Sequence, residues 1–371
     1  MSDGFGLPPI VSCPALLIAD DPACERALAS LTVLDRLVIA THKAGAKEIT
    51  VVHPGKPPEL PRAKALGIPF HLSESVPIFH EPTLLMAGNL AAQENDLARV
   101  ISKQGRLYAP NREPLPCGVA PEWVDGLEAS LPQRPKVEAL GVSQMVKDGL
   151  TAIQAEDALW DTMGQETDSI IDRNFNRPVG RIMSKVLIHI PVSPNAISVV
   201  ATTIGVLAAS CFTHGTAHLM ILGAVLLQLS AVIDCVYGDI ARMLHKETQS
   251  GKWLDMGGDQ LVHLFLLAGI GVGLYRMADK DGPTLWLGVA ASFGVVLSFL
   301  TILQAEQSQL PLTRLKIFLA KTANRDFSVL LLGLAIVERV HWFLWIALLA
   351  VHAFWLYSVW LYRMDTREED R

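Results

Sequence analysis

The spacing of apolar positions changes character partway along the chain. Residues 1 to about 165 alternate short apolar runs with polar, proline-containing stretches, whereas from Ile190 to Tyr362 the apolar runs lengthen and only short polar segments separate them. A membrane-crossing helix needs roughly 20 mostly apolar residues. By that measure the second half predicts six spans, at Ala196–Phe212, Ala217–Val236, Trp253–Tyr275, Thr284–Gln304, Phe327–Val337 and His341–Leu361. The fifth is the shortest, because its clean run stops at Glu338-Arg339. Starting it near Thr322 would lengthen it, and leaving it out gives five.

In the first half, ALLIA and EITVV are apolar runs of the length that fills buried parallel strands. TVLDRLVIATHKAGAKE between them repeats at helical spacing and ends at a glycine. IPFHL and TLLMAG predict further strands, and strands alternating with helices predict an α/β domain with a doubly wound sheet. YAPNREPLPCGVAPEW reads as a loop. EALGVSQMVKDGLTAIQAEDALWDTM returns to helix.

Between the halves lies SIIDRNFNRPVGRIMSKVLIHI. On a helix, Ile170, Phe175, Val179, Ile182, Met183, Val186 and Leu187 share one broad face, while Arg173, Arg177, Arg181 and Lys185 turn to water or headgroups. That pattern predicts an amphipathic helix lying in the membrane interface. The expected organisation is therefore a cytoplasmic α/β domain over 1–165, an interfacial helix over 166–192 and an all-α polytopic membrane domain of six transmembrane helices over 193–371.

Charge then orients the spans. Arg173, Arg177, Arg181 and Lys185, then Arg242, Lys246 and Lys252, then Arg314, Lys316, Lys321 and Arg325, and finally Arg363 and Arg367 fall on one side. The loops THGTA, RMADKDGP and VERV on the other side carry little charge. The basic side is expected to be cytoplasmic, in a cytoplasmic (inner) membrane. A net charge of −6 argues against a nucleic-acid partner. The five cysteines have no CxxC pair and no zinc spacing, as reduced cytoplasmic thiols do, and the N-terminus lacks the basic region of a signal peptide.

One polar stretch interrupts the apolar half: DCVYGDIARMLHKETQSGKWLDMGGD, beginning at Asp234. Residues three and four apart share a helix face, so Asp234, Gly238 and Ala241 stack at the cytoplasmic end of the second span. Gly251, Asp255 and Asp259 do the same at the start of the third. A polar turn joins the two, which lets Asp234, Asp255 and Asp259 converge. Clustered carboxylates repel unless a cation sits among them, and hard oxygen ligands favour Mg²⁺, Mn²⁺ or Ca²⁺. A divalent pair there suits transfer of a phosphate-bearing group.

These residues resemble the signature of the CDP-alcohol phosphotransferase family, D-x2-D-G-x2-A-R-x8-G-x3-D-x3-D. Asp234, Gly238, Ala241, Arg242, Gly251, Asp255 and Asp259 match in position, and Tyr237 stands where the second Asp belongs. The resemblance implies a six-span, usually dimeric fold with a Mg²⁺ or Mn²⁺ site, commonly of two metals, open to the cytoplasm. It implies cleavage of a CDP-alcohol donor, release of CMP and transfer of the phospho-alcohol to an acceptor hydroxyl, on an inositol phosphate or a lipid alcohol. Asp234 and Asp255 would be metal ligands, and Asp259 both a ligand and the catalytic base. Gly238, Ala241 and Gly251 would shape the cytidine pocket, and Arg242 would stabilise the acids or the diphosphate. Pro194, Asn195 and Ser198 match a further family pattern that places Asn195 beside the nucleotide. The architecture, with ETDSIIDRNFNRPVGRIMSKVL and Arg325-Asp326-Phe327, is similar to enzymes that make CDP-inositol and condense it with inositol phosphate.

Two departures stand against that pattern. In those enzymes the N-terminal nucleotidyltransferase-like domain opens with a Gly-rich phosphate loop. Here DDPACERALAS follows ALLIA, and Asn89 stands where a metal-binding Asp is expected. The domain therefore reads as a degenerate, non-catalytic relative, kept for dimerisation or for docking a separate cytidylyltransferase; an unrelated α/β domain is the alternative. Tyr237 is the second departure, since a neutral phenol with a pKa near 10 is a poor Mg²⁺ ligand. Asp239 points about 140° away from Asp234 on an ideal helix and could replace the missing acid only if the helix unwinds at Gly238. Either the transferase works with fewer carboxylates, or the protein is a pseudoenzyme that scaffolds or regulates at the membrane. His189, His218, His245 and His263 read as isolated packing or interfacial residues.

Overall fold

The computed structural model describes residues 13–369 apart from 134, 165–167, 309 and 323–325. Glu166 and Thr167 of the linker segment, and Arg325, lie outside the described residues. The chain divides into two compact units, Met1–Met163 and Gly164–Arg371.

The first unit is built on a seven-stranded sheet. Its order is 136–138, 106–108, 114–120, 83–87, 15–18, 49–52, 71–73. Ala15–Ile18 is central, pairing in parallel with Ile49–Val52 on one side and Thr83–Ala87 on the other. Leu17, Ile49, Val51, Leu84, Leu85 and Met86 are fully buried there, which is why these runs are apolar throughout rather than alternating. The helix Val33–Lys43 starts where Thr32 Oγ1 accepts from the Asp35 amide and stops before Gly45, at φ +99°.

Two sequence readings are corrected here. Pro114–Ala120, expected to be loop, is a strand of the sheet, antiparallel to Thr83–Ala87 and to Arg106–Tyr108. Its prolines disguise it. Pro114 opens the strand, and Pro116 falls in the register shift between Arg106 and Tyr108, where the ladder is already interrupted. Within the segment expected to be one helix, Ser143–Met145 pairs antiparallel with Leu90–Ala92, and the helix Gly149–Asp161 begins only after an Asp148–Thr151 capping box.

The second unit is all-helical. Among the described residues, five helices are long and apolar enough to cross a membrane: Pro194–Phe212, Ala217–Met243, Gln249–Met277, Thr284–Gln307 and Val340–Glu369. The remaining candidate is the ten-residue helix Phe327–Ile336, ended by a turn that puts Glu338 at φ +57°. Phe212, Leu266, Ile270, Ala291 and Leu331 form its buried core. Two helices meet through glycines, since a Cβ on Gly271 would lie 2.8 Å from the Gly288 Cα.

Ahead of the first long helix, a π-helical turn at Asp172–Asn176 leads into Arg177–Leu187. Gly180 lies close against the Ala217–Met243 helix, 3.3 Å from Val232 O measured from its would-be Cβ, while Ile170 and Ile182 are 77% and 70% exposed. Phe175, Val179 and Val186 are exposed as well. Arg177 departs from its expected place among the outward-facing bases. It is buried, because two carboxylates, Asp168 and Asp239, replace the water its charge would otherwise hold.

Candidate metal and nucleotide site

Asp234 comes from the Ala217–Met243 helix, and Asp255 and Asp259 from Gln249–Met277. The turn between them, with His245 at φ +51°, folds the two helix ends side by side. One oxygen from each carboxylate lies within 4.8 Å of the others, and all three residues are half-buried. Among the described residues no other three metal-ligating side chains gather in this way. Three anions at this spacing repel more strongly as water is withdrawn. The donor set is all oxygen and carries three negative charges, so it fits a hard divalent cation.

Gly251 marks the side of the junction where the other sequence-selected residues gather. A Cβ there would lie 2.8 Å from Asn195 Oδ1 and 3.0 Å from both the Tyr237 hydroxyl and Thr248 Oγ1. No side chain other than hydrogen fits without displacing one of them. Tyr237 therefore directs its hydroxyl toward Gly251 and Asn195. Asn195 is held at the start of its helix by Ser193, whose side chain accepts from the Ala196 amide, and Ser198 is buried one turn further on. Thr248 caps the other helix by accepting from the Gly251 amide at 3.0 Å.

On the Ala217–Met243 helix, the Arg242 guanidinium folds back over Gly238, where a Cβ would sit 3.2 Å from Nη1 and Nη2. Ala241 is buried beside it. The helix does not unwind at Gly238, so Asp239 cannot take the place of the missing acid. It points to the opposite side and accepts hydrogen bonds from Arg177 and Arg242.

His263, which sequence reasoning set aside, and Ser328, which it missed, also come to the site. His263, one turn past Asp259, lines a small pocket with Asp259 and Ser328, closed by Leu227, Val262 and Phe327. Its ring meets Phe327 edge-on, at 5.1 Å between centroids. The spacing of four from Asp259 was the available signal. Ser328 donates to Gln228, which donates to Asn176, an internal polar chain that no sequence pattern announced.

The corresponding position of the first unit is differently built. After Ala15–Ile18, the chain forms a short hairpin of Ala27–Leu28 with Leu31–Thr32. Arg36 donates to Leu28 O and Ala29 O, and Glu156 accepts from the Ala29 amide. Asn89 is buried, donating to Asp21 Oδ2 and Val146 O, so it acts as a brace. Cys24, packed at 3.0 Å from a would-be Cβ on Gly88, fills the space between strands.

A helical domain of membrane-span length with a carboxylate cluster at one helix junction defines a membrane protein with an acidic site. Residues 191–359, just under half of the chain, match the CDP-alcohol phosphatidyltransferase family. The chain is similar to the bifunctional IPC transferase and DIPP synthase of Aquifex aeolicus, at 27% identity over 168 residues. That match covers 44% of this chain and 37% of the relative, well under half of either.

Proposed function

We propose that this protein transfers a phospho-alcohol group from a CDP-alcohol to an acceptor hydroxyl, releasing CMP, in phospholipid synthesis at the cytoplasmic membrane. The observation that carries the reading is the convergence of Asp234, Asp255 and Asp259 within 4.8 Å, in a domain of this family. Asp234, Asp255 and Asp259 would hold the cation. A bound Mg²⁺ or Mn²⁺ supplies neutralisation of the charge that builds on the donor's diphosphate. Asp259 takes the proton from the acceptor hydroxyl, whose oxygen attacks the phosphorus bearing the alcohol; the bond to CMP breaks and CMP leaves. Asn195, Ser198, Gly238, Ala241 and Gly251 would line the cytidine side, and Arg242 would meet the diphosphate.

The same proposal places the acids on the cytoplasmic side, counts Phe327–Ile336 as part of a sixth passage and lays Arg177–Leu187 in the interface. The exposure of Ile170, Phe175, Ile182 and Val186 supports that last element. Residues 1–165 serve as a non-catalytic domain, and the protein works as a homodimer. Purified protein with Mg²⁺ or Mn²⁺ should release CMP from at least one of a panel that includes CDP-inositol and CDP-diacylglycerol, and chelation should abolish it. No release from any of them would sink the reading.

Tyr237 favours a second reading, a pseudoenzyme that binds nucleotide or lipid without turnover. Its hydroxyl reaches toward Gly251 and Asn195, so the fourth acid is replaced by a neutral group on the nucleotide side. Tyr237→Asp separates the two, because a large gain in CMP release marks the natural chain as impaired.

A further inference from the structure

Asp168 and Arg177 precede residues 191–359, and Asp239 occupies a variable position of the family signature. These three form one chain of ion pairs with Arg242. Asp168 accepts from Arg177 Nε at 3.0 Å and Nη2 at 2.8 Å. Arg177 Nη1 donates to Asp239 Oδ1 at 2.6 Å, and the same oxygen accepts from Arg242 Nη2 at 2.9 Å. The Asp239 side chain is 1% exposed, Asp168 9% and Arg177 11%. Burial disfavours the charge on Arg177, but its hydrogen bonds to Asp168 and the nearby Asp239 carboxylate outweigh it and hold its pKa above the ordinary value. The charges alternate and sum to zero, which is the arrangement that makes ionised groups tolerable without water.

Arg242 is the most exposed member, at 24%, and its guanidinium lies over Gly238, one turn beyond Asp234 on the same face. It is gripped from behind by Asp239, and Asp239 is held in turn by the linker helix. We propose that Arg177 and Asp239 are positioning residues for the transfer reaction. They fix the Arg242 guanidinium beside the carboxylate cluster, so that it meets the donor's diphosphate already ordered. An arginine fork placed in advance loses less freedom when it binds an oxyanion. The inference rests on the proposed function for the identity of the donor. It also makes the linker helix, outside the family's residues, part of the working enzyme.

The test uses the full-length protein and the CDP-alcohol that the natural chain turns over best, with kcat and KM measured separately. Asp239→Asn and Arg177→Lys should each lower kcat/KM about tenfold or more, since small misplacements of a binding group are costly. Asp239→Glu should recover part of the loss. The double variant Asp239→Asn/Arg242→Lys should be no worse than Arg242→Lys alone, because the two act through one group. Additive losses, or a fall in unfolding temperature with kcat/KM unchanged, overturn the proposal in favour of simple helix adhesion. If Asp239→Asn does not fold, Arg177→Lys, which keeps the buried charge, decides on the same criteria. If the natural chain releases no CMP, the proposed function fails, and CDP binding by calorimetry takes over. Weaker CDP binding by Arg177→Lys and Arg242→Lys then supports the positioning role. Equal affinities, or no CDP binding by the natural chain, overturn it.

Discussion

The crevice beyond the first strand of the sheet and the carboxylate cluster at the helix junction are built on different principles. Beyond the first strand of the sheet, the polar groups described above take their partners from the chain itself. Asn89 is spent on Asp21 and Val146, Arg36 on the hairpin carbonyls, and Cys24 fills the gap beside Gly88. At the helix junction, by contrast, three like-charged carboxylates are brought within 4.8 Å of one another at the end of apolar helices. A satisfied crevice stabilises the fold. A cluster of like charges costs stability unless it binds something, and such local conflict is where function is usually found. On the proposed function, the chemistry belongs to the second unit and the first has a structural role.

Four changes would break or sharpen that contrast. The largest effect is expected from Asp259→Asn, which removes the base and should lower CMP release by about 10²- to 10⁴-fold. The thermal unfolding temperature of this variant should not fall, since one of three repelling charges is lost. Next, Gly251→Ala forces a methyl group against Asn195, Tyr237 and Thr248. It should cost about 1–3 kcal/mol by overpacking and raise KM for the donor; an unchanged KM would place the nucleotide elsewhere. Third, Asn89→Ala leaves buried groups unpaired in the first unit. It should cost about 1–3 kcal/mol there and leave CMP release within about twofold, because that crevice takes no part. A collapse of activity in folded protein would reverse the assignment.

The smallest effect concerns the thiols. Burial pushes Cys13 up to about 11, and Cys24 and Cys117 up to about 12. Each stays protonated at pH 8, and the thiolate is the reactive form. In the folded protein all three should resist alkylation at pH 8 and react only on denaturation, as mass spectrometry of labelled peptides would show. Fast labelling of Cys24 in native protein would mean that the crevice opens.

Much of the site was legible because helical periodicity is local. Asp234 with Gly238, and Gly251 with Asp255 and Asp259, share faces by spacing alone, and one short turn brings them together. The angular argument about Asp239 was equally local and holds, since the helix runs unbroken to Met243. His263 was within reach of the same reasoning, being four residues past Asp259. Strand pairing is less readable. Pro114–Ala120 reads as loop from the sequence because proline breaks a ladder except where pairing is already interrupted, and that position is set by the partner strand.

The amino-acid order by itself determined the division into a strand-and-helix unit and an apolar helical unit and the convergence of three acids, because each follows from periods of two or 3.6 residues and from run length. Only the tertiary structure decided what partners the remaining polar groups take. It placed Arg177 inside, bridging Asp168 and Asp239, and turned the Tyr237 hydroxyl toward Gly251 and Asn195. It also set Ser328 against Gln228, 100 residues apart. Those choices depend on which helices touch, and contacts between distant segments are set by the packing of whole faces rather than by any local run of residues.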